Sequence, residues 1–91
     1  MSDKRISFKV TGDVQGVNFR SFTSKQAKSI GVTGYVTNAL DGTVQGEAQG
    51  SPDAIKEFVE HINKGPSAAS VKGVEHSGIS TKSGEGSFNV K

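Results

Sequence analysis

The element order read along the chain is strand, helix, strand, strand, helix, strand. It predicts an α+β fold of the ferredoxin-like α/β sandwich type, an antiparallel sheet with two helices on one face. Three observations carry that reading. Ile6, Phe8 and Val10 alternate with Ser7, Lys9 and Thr11, the two-residue period of a half-buried strand. Ile55, Phe58, Val59 and Ile62 follow the i, i+3, i+4, i+7 spacing of one buried helix face. Between them, Asp41-Gly42 is a turn signal separating two short strand-like stretches, which predicts a hairpin.

Each element has its own local reason. The first strand leads into a glycine-bearing loop, Gly12-Asp13-Val14-Gln15-Gly16-Val17-Asn18-Phe19-Arg20. A first helix is expected from about Ser21 to Ile30, with Phe19, Phe22, Ala27 and Ile30 close to one face and Gly31 as C-cap residue. The hairpin strands are expected over Thr33 to Asn38 and Thr43 to Gln49. In the second helix Ser51 suits the N-cap, Pro52 the first turn and Asp53 the positive end of the dipole, and Gly65-Pro66 ends it. A fourth strand lies within Ser70 to His76, where Val71 and Val74 break strict alternation and predict a bulge or offset start. Ser77 to Ser87 reads as an exposed loop, and Phe88 and Val90 as a short closing strand. Residues 1–91 read as a single domain.

Composition narrows the function classes. Only 32% of residues are apolar and twelve are glycine, so the core is small and the turns are tight. The net charge of +2 favours small anions but is thin support for a nucleic-acid footprint, even with a pI near 9.0. With no cysteine there is no disulfide, thiolate metal site or cysteine nucleophile. The polar start, Met1-Ser2-Asp3-Lys4-Arg5, leads straight into a strand, and no apolar run is long enough to span a membrane. A cytoplasmic monomer that engages neither nucleic acid nor membrane is expected.

The loop before the first helix carries the chemistry. A loop entering a helix points several unpaired N–H groups one way, with partial positive charge behind them, and so makes an anion site. Arg20 breaks a local rule there, since a cation near a helix N-terminus opposes the dipole by a few tenths of a kcal/mol, up to about 1. An anion held between guanidinium and amides turns that conflict into cooperation. From spacing alone, a solvated arginine on an ordinary surface helix stands as an equal alternative.

Gly12-x-Val14-Gln15-Gly16-Val17-x-Phe19-Arg20 resembles the signature of the acylphosphatase family. Gly31-Val32-x-Gly34-Tyr35-Val36-x-Asn38 resembles that family's second motif, followed by Asp41-Gly42-Thr43-Val44, Gly46-x-Ala48-x-Gly50 and the closing Phe88-x-Val90. The resemblance spans nearly the whole chain. It implies hydrolysis of acyl phosphates to carboxylate and inorganic phosphate by direct in-line attack of water, with no metal and no cofactor. It further implies a phosphate cradle from Gln15, Gly16, Val17, Asn18, Phe19 and Arg20, with Arg20 and Asn38 catalytic: the guanidinium binds phosphate and the carboxamide orients water. Without the resemblance, Asn38 reads as a turn residue capping the hairpin.

Other residues carry blander readings. His61 and His76 lack a metal-ligand partner at suitable spacing. Ser21 has no motif-level base to activate it, and Tyr35 stands where the family often has tryptophan, a packing position. The run Gly16-Val17-Asn18-Phe19-Arg20-Ser21-Phe22 bears a superficial likeness to an RNA-binding strand, but in a loop and helix start its aromatics face the core. A non-enzymatic anion- or RNA-binding module on the same scaffold is the other functional class to be weighed. Two positions depart from the family pattern. Asp13 stands where a basic residue is common and is expected to face away from the cradle; Ala39 replaces a hydroxyl residue of some members.

Overall fold

The computed structural model describes residues 3–16 and 18–91. Its elements are β1 (Lys4–Asp13), α1 (Phe19–Ile30), β2 (Thr33–Asn38), β3 (Val44–Gly50), α2 (Pro52–Lys64), β4 (Ser70–Ile79) and β5 (Phe88–Val90). The strands form one sheet in the order β4-β1-β3-β2-β5. The first four pair antiparallel, as expected, while β5 joins the edge parallel to β2, so the sheet is mixed. The parallel pairing follows from the long return from β4 across the sheet, which brings the chain to β2 running the same way.

One face of the sheet carries the core. Ile6, Phe8 and Val10 of β1, Val44 and Ala48 of β3 and Val36 of β2 are buried beneath the helices. Phe58 of α2 is the central knob, with its ring 5.3 Å from Phe8 and 5.9 Å from Phe88. The α2 signals act as predicted: Ser51 Oγ accepts the Ala54 N–H at 3.1 Å, and Ile55, Phe58 and Ile62 are buried. Helix α1 starts two residues earlier than expected, at Phe19, and buries Thr23 and Ser24 along with Phe19 and Ala27. Phe22 and Ile30 are only half-buried, so the face is rotated from the one that apolar residues alone suggest.

The predicted irregularity in β4 lies in its pairing with β1, where the register shifts between Thr11 and Gly12. A Cβ on Gly12 would sit 2.1 Å from the Ser70 carbonyl oxygen, and its φ of +128° suits only glycine. Strand β4 runs on to Ile79, so residues 77–79 belong to it and not to the loop.

Residues 80–87 form the expected exposed loop, all but Glu85 exposed, and it is also a strap tied down onto the outer face of the sheet. The tie is Arg5, only 2% exposed. Its Nη1 and Nη2 donate to the two Glu85 carboxylate oxygens at 2.8 and 3.2 Å, and its Nε donates to Glu47 Oε1 at 3.0 Å. Gln49 seals the strap by accepting from Lys82 N at 2.8 Å and donating to Lys82 O at 2.9 Å. Composition reports the exposure of this segment but not its tether, for which the signal is a cation, Arg5, inside β1.

The Arg5 hydrogen bond is the main force holding the Glu85 carboxyl below its ordinary value of 4.5, with Thr33 and Lys82 adding to it. A depressed carboxyl contributes stability above its unfolded value and loses it as pH falls through the folded one. Glu85→Gln should therefore be less stable than the parent near neutrality, and the gap should close below pH 4.5; urea denaturation at the two pH values checks this. Thr23 Oγ1 is buried without a hydrogen-bond partner among the described residues. Thr23→Val removes that uncompensated hydroxyl at nearly constant volume and should add about 1 kcal/mol, or roughly 4–8 °C in Tm by calorimetry.

Candidate active site

Two buried side chains fix the ends of the helix-entry loop. Val14 is fully buried just after β1, and Phe19 is 1% exposed at the start of α1. Between them Gln15, Gly16 and Asn18 are exposed, and Val17 lies outside the described residues. Gly16 has φ +76° and Asn18 φ +61°, the one non-glycine among the described residues in the left-handed region. Asparagine tolerates that region better than most side chains, and strained turns of this kind cluster at functional sites.

Helix α1 therefore opens with bare donors. The Asn18 side chain makes no capping bond, and the first helical hydrogen bond runs from Phe22 N–H to Asn18 O at 2.9 Å. The N–H groups of Phe19, Arg20 and Ser21 have no helical acceptor. No acidic residue occupies the first turn to neutralise them.

These groups face a concavity of about 180 Å³ lined by Gly16, Asn18, Phe19, Arg20, Ser21, Asn38 and Val90. Arg20 and Asn38, widely separated in sequence, thus share one small wall. The Arg20 guanidinium donates through Nη1 to the Lys91 main-chain oxygen at 2.9 Å. The rest of its five-donor fork has no protein acceptor among the described residues. No carboxylate lines the concavity among those residues. It is smaller than the groove of about 650 Å³ between α2 and the β1–β4 edge, but there Lys4 and Lys56 share the lining with Asp53 and Glu60.

Asn38 is the exposed last residue of β2, opposite Val44. The hairpin does not use it as a cap. Asp41 Oδ1 instead accepts from Thr43 N at 3.0 Å and Thr43 Oγ1 at 2.6 Å, and Gly42 N donates to Ala39 O at 3.2 Å. Those Thr43 bonds, with Lys9 nearby, hold the Asp41 carboxyl below its usual range. The Asn38 carboxamide makes no hydrogen bond to protein among the described residues, so the turn-capping alternative has no geometric support.

The remaining candidates divide. Gln15 is not on the wall: its Nε2 donates to Ala39 O at 2.8 Å and Thr43 O at 2.9 Å, tying the loop to the hairpin that carries Asn38. Asp13 ends β1 opposite Ser70, is exposed and does not line the concavity, as its charge requires. Ser21 does line it. The burial of Phe19 removes a ring that base stacking would need. Two contributors escaped the sequence reading. Val90, 47% exposed, supplies the aliphatic part of the wall, and Lys91 supplies a main-chain oxygen. A main-chain oxygen leaves no trace in side-chain pattern, so only the edge position of β5 hints at either.

The sequence profile of the acylphosphatase family matches residues 6–90. An acylphosphatase of Salinibacter ruber is 45% identical over 74 residues, covering 81% of this chain and 78% of its own. An acylphosphatase structure from Coxiella burnetii superposes with a TM-score of 0.92 at 34% identity, covering 98% of this chain and 93% of that one. The acylphosphatase of Bacillus subtilis gives a TM-score of 0.92 at 30% identity, covering 97% and 98%.

The Gln15 tether predicts a local effect. Gln15→Ala removes two hydrogen bonds from carbonyls that keep turn partners, Gly42 N for Ala39 O and Ala39 N for Thr43 O. Stability should drop by about 1–2 kcal/mol, and hydrogen exchange should quicken at the amides of the hairpin turn while the core amides stay protected.

Proposed function

The chain belongs to the acylphosphatase family, and we propose that its hydrolysis of acyl phosphates takes place in the concavity between the helix-entry loop and the end of β2. The observation that supports this most is one small wall bearing a guanidinium, free helix N–H groups and an unengaged carboxamide, with no carboxylate among its described residues.

The chemistry asks little of the protein. An acyl phosphate already has a carboxylate leaving group, so no covalent enzyme intermediate is needed. The work is to hold the phosphoryl group, offset its charge and place water in line. In this reading the amides of Gly16, Asn18, Phe19 and Arg20 cradle the phosphate oxygens, and the Arg20 fork adds charge-assisted bonds. The Asn38 carboxamide orients the water, whose oxygen attacks phosphorus as the bond from phosphorus to the acyl oxygen breaks. The electron pair leaves with the carboxylate, and the water's proton passes to a phosphate oxygen. An amide does not titrate near neutrality, so Asn38 positions water without taking its proton.

The same reading includes a metal-free reaction on a small soluble substrate by a cytoplasmic monomer. Because the donors converge on phosphate, the acyl group is loosely specified and a range of acyl phosphates should turn over.

The test is phosphate release from benzoyl phosphate in the presence of a chelator, for the parent and three variants. Asn38→Ala should lose about a hundred- to a thousandfold in kcat while inorganic phosphate still binds. Arg20→Ala should weaken both, and Arg20→Lys should not restore them, since a point charge cannot form the planar fork. Activity that vanishes with chelation, or an Asn38→Ala variant close to the parent, would overturn the reading.

A further inference from the structure

The guanidinium of Arg20 is aimed by the main-chain oxygen of Lys91, the residue that follows the three-residue edge strand β5. Short edge strands are the first parts of a sheet to open, so whatever holds β5 down also decides how long Arg20 stays aimed. Strand β5 is held on its inner side by Phe88, which is 2% exposed, and along β2 by the bonds from Gly34 N to Ser87 O at 3.1 Å and Lys91 N to Val36 O at 2.8 Å. On the outer side the hold is the strap, and the strap is tied down at Glu85, three positions before Phe88.

We propose that Arg5 and Glu85 are positioning residues for Arg20, acting from the outer face of the sheet through β5. The inference rests on the assignment of Arg20 to the substrate phosphate. Two physical routes lead from the Arg5 cluster to Lys91. One follows the chain: the paired bonds from Arg5 to Glu85 fix the strap, and the strap delivers β5 to β2 in register, with Val90 beside Val36. The other crosses the sheet. Glu47, paired with Arg5 at 2.9 Å, accepts from the Tyr35 hydroxyl at 3.3 Å, and the Lys91 ammonium lies 4.2 Å from the centre of the Tyr35 ring. Both end on the residue whose main-chain oxygen holds Arg20 Nη1.

The burial of Arg5 makes the arrangement more than surface decoration. Exposed ion pairs contribute almost nothing, but a guanidinium this deeply buried needs its partners, and both carboxylates are in hydrogen-bond contact. Removing Glu85 leaves Arg5 paired with Glu47, so the sheet survives; what is released is the strap. The effect should therefore appear at Arg20, with the core intact.

A double-mutant cycle on inorganic phosphate binding tests this, read by NMR titration of the full chain. Glu85→Ala should weaken phosphate roughly three- to tenfold, the scale of one hydrogen bond's worth of aiming. In an Arg20→Ala background the same change should have no further effect. The Nε–Hε order parameter of Arg20 should fall in Glu85→Ala. Glu85→Gln, which keeps shape and one acceptor, should lie between the two and serves if Glu85→Ala does not fold. Ile55→Val, in the core on α2, lowers stability without touching the strap and should leave phosphate affinity unchanged. An unchanged phosphate affinity in Glu85→Ala, an equal loss with and without Arg20, or an unaltered Arg20 order parameter would overturn the proposal. Arg20→Ala binding phosphate as the parent does would instead remove the assignment on which it rests.

Discussion

Strand direction is the constraint on which the rest of the structure depends. Strand β3 pairs antiparallel with both β1 and β2, so those two run the same way, and β5 runs parallel to β2. The ends of β1, β2 and β5 therefore emerge at one end of the sheet. From β1 comes the loop that starts α1, from β2 comes Asn38, and from β5 and the residue after it come Val90 and the Lys91 main-chain oxygen. Register sharpens the convergence. Val44 faces Val10 on one side and Asn38 on the other, so Asn38 lies level with Val10 and β1 runs three residues further before the loop departs. Two strand spacings separate β1 from β2, about 10 Å, a gap that one loop and one anion fill.

Much of this was legible in the sequence because it depends on side-chain pattern. The alternation in β1, the Ser51-Pro52 start of α2 and the Asp41-Gly42 turn each encode a local geometry that the fold adopts. Arg20 and Asn38 were legible as a pair only through the family motifs, since no spacing rule reports that two positions far apart in sequence meet. What stayed hidden was tertiary. The register of a glycine- and serine-rich segment is set by an arginine some eighty positions away, and a polar strap looks the same in sequence whether it is tethered or free. The start of α1 at Phe19 carries no side-chain signal, because its N-cap, Asn18, adopts a left-handed backbone and offers no side-chain cap.

The wall of the concavity explains how so sparse a site can be selective. A helix N-terminus and an arginine on it repel one another, and the sequence supplies no acid in the first turn to relieve that conflict. Relief is left to a bound anion. The Lys91 main-chain oxygen takes one donor of the guanidinium and aims it, leaving the rest of the fork for an anion. An Asp or Glu side chain on the wall would pair with Arg20 and compete with phosphate for it, and none lines it among the described residues. The same reasoning accounts for Asp13, a potential competitor that β1 directs away from the wall by pairing its backbone with Ser70.

The two glycines of the loop motif then have different causes, which motif matching alone merges. Gly12 is required by crowding within the sheet: at the register shift its missing side chain is what lets the Ser70 carbonyl approach. It never reaches the concavity. Gly16 does line it, and a Cβ there would meet nothing within 4 Å, so its requirement comes from a left-handed φ and not from space. That requirement is soft, about 1–2 kcal/mol for an ordinary residue, and Asn18 adopts the same region close by. A glycine at the first position thus protects the sheet from which the loop departs, and one at the second shapes the cradle. The anion site depends on both, but only the second belongs to it.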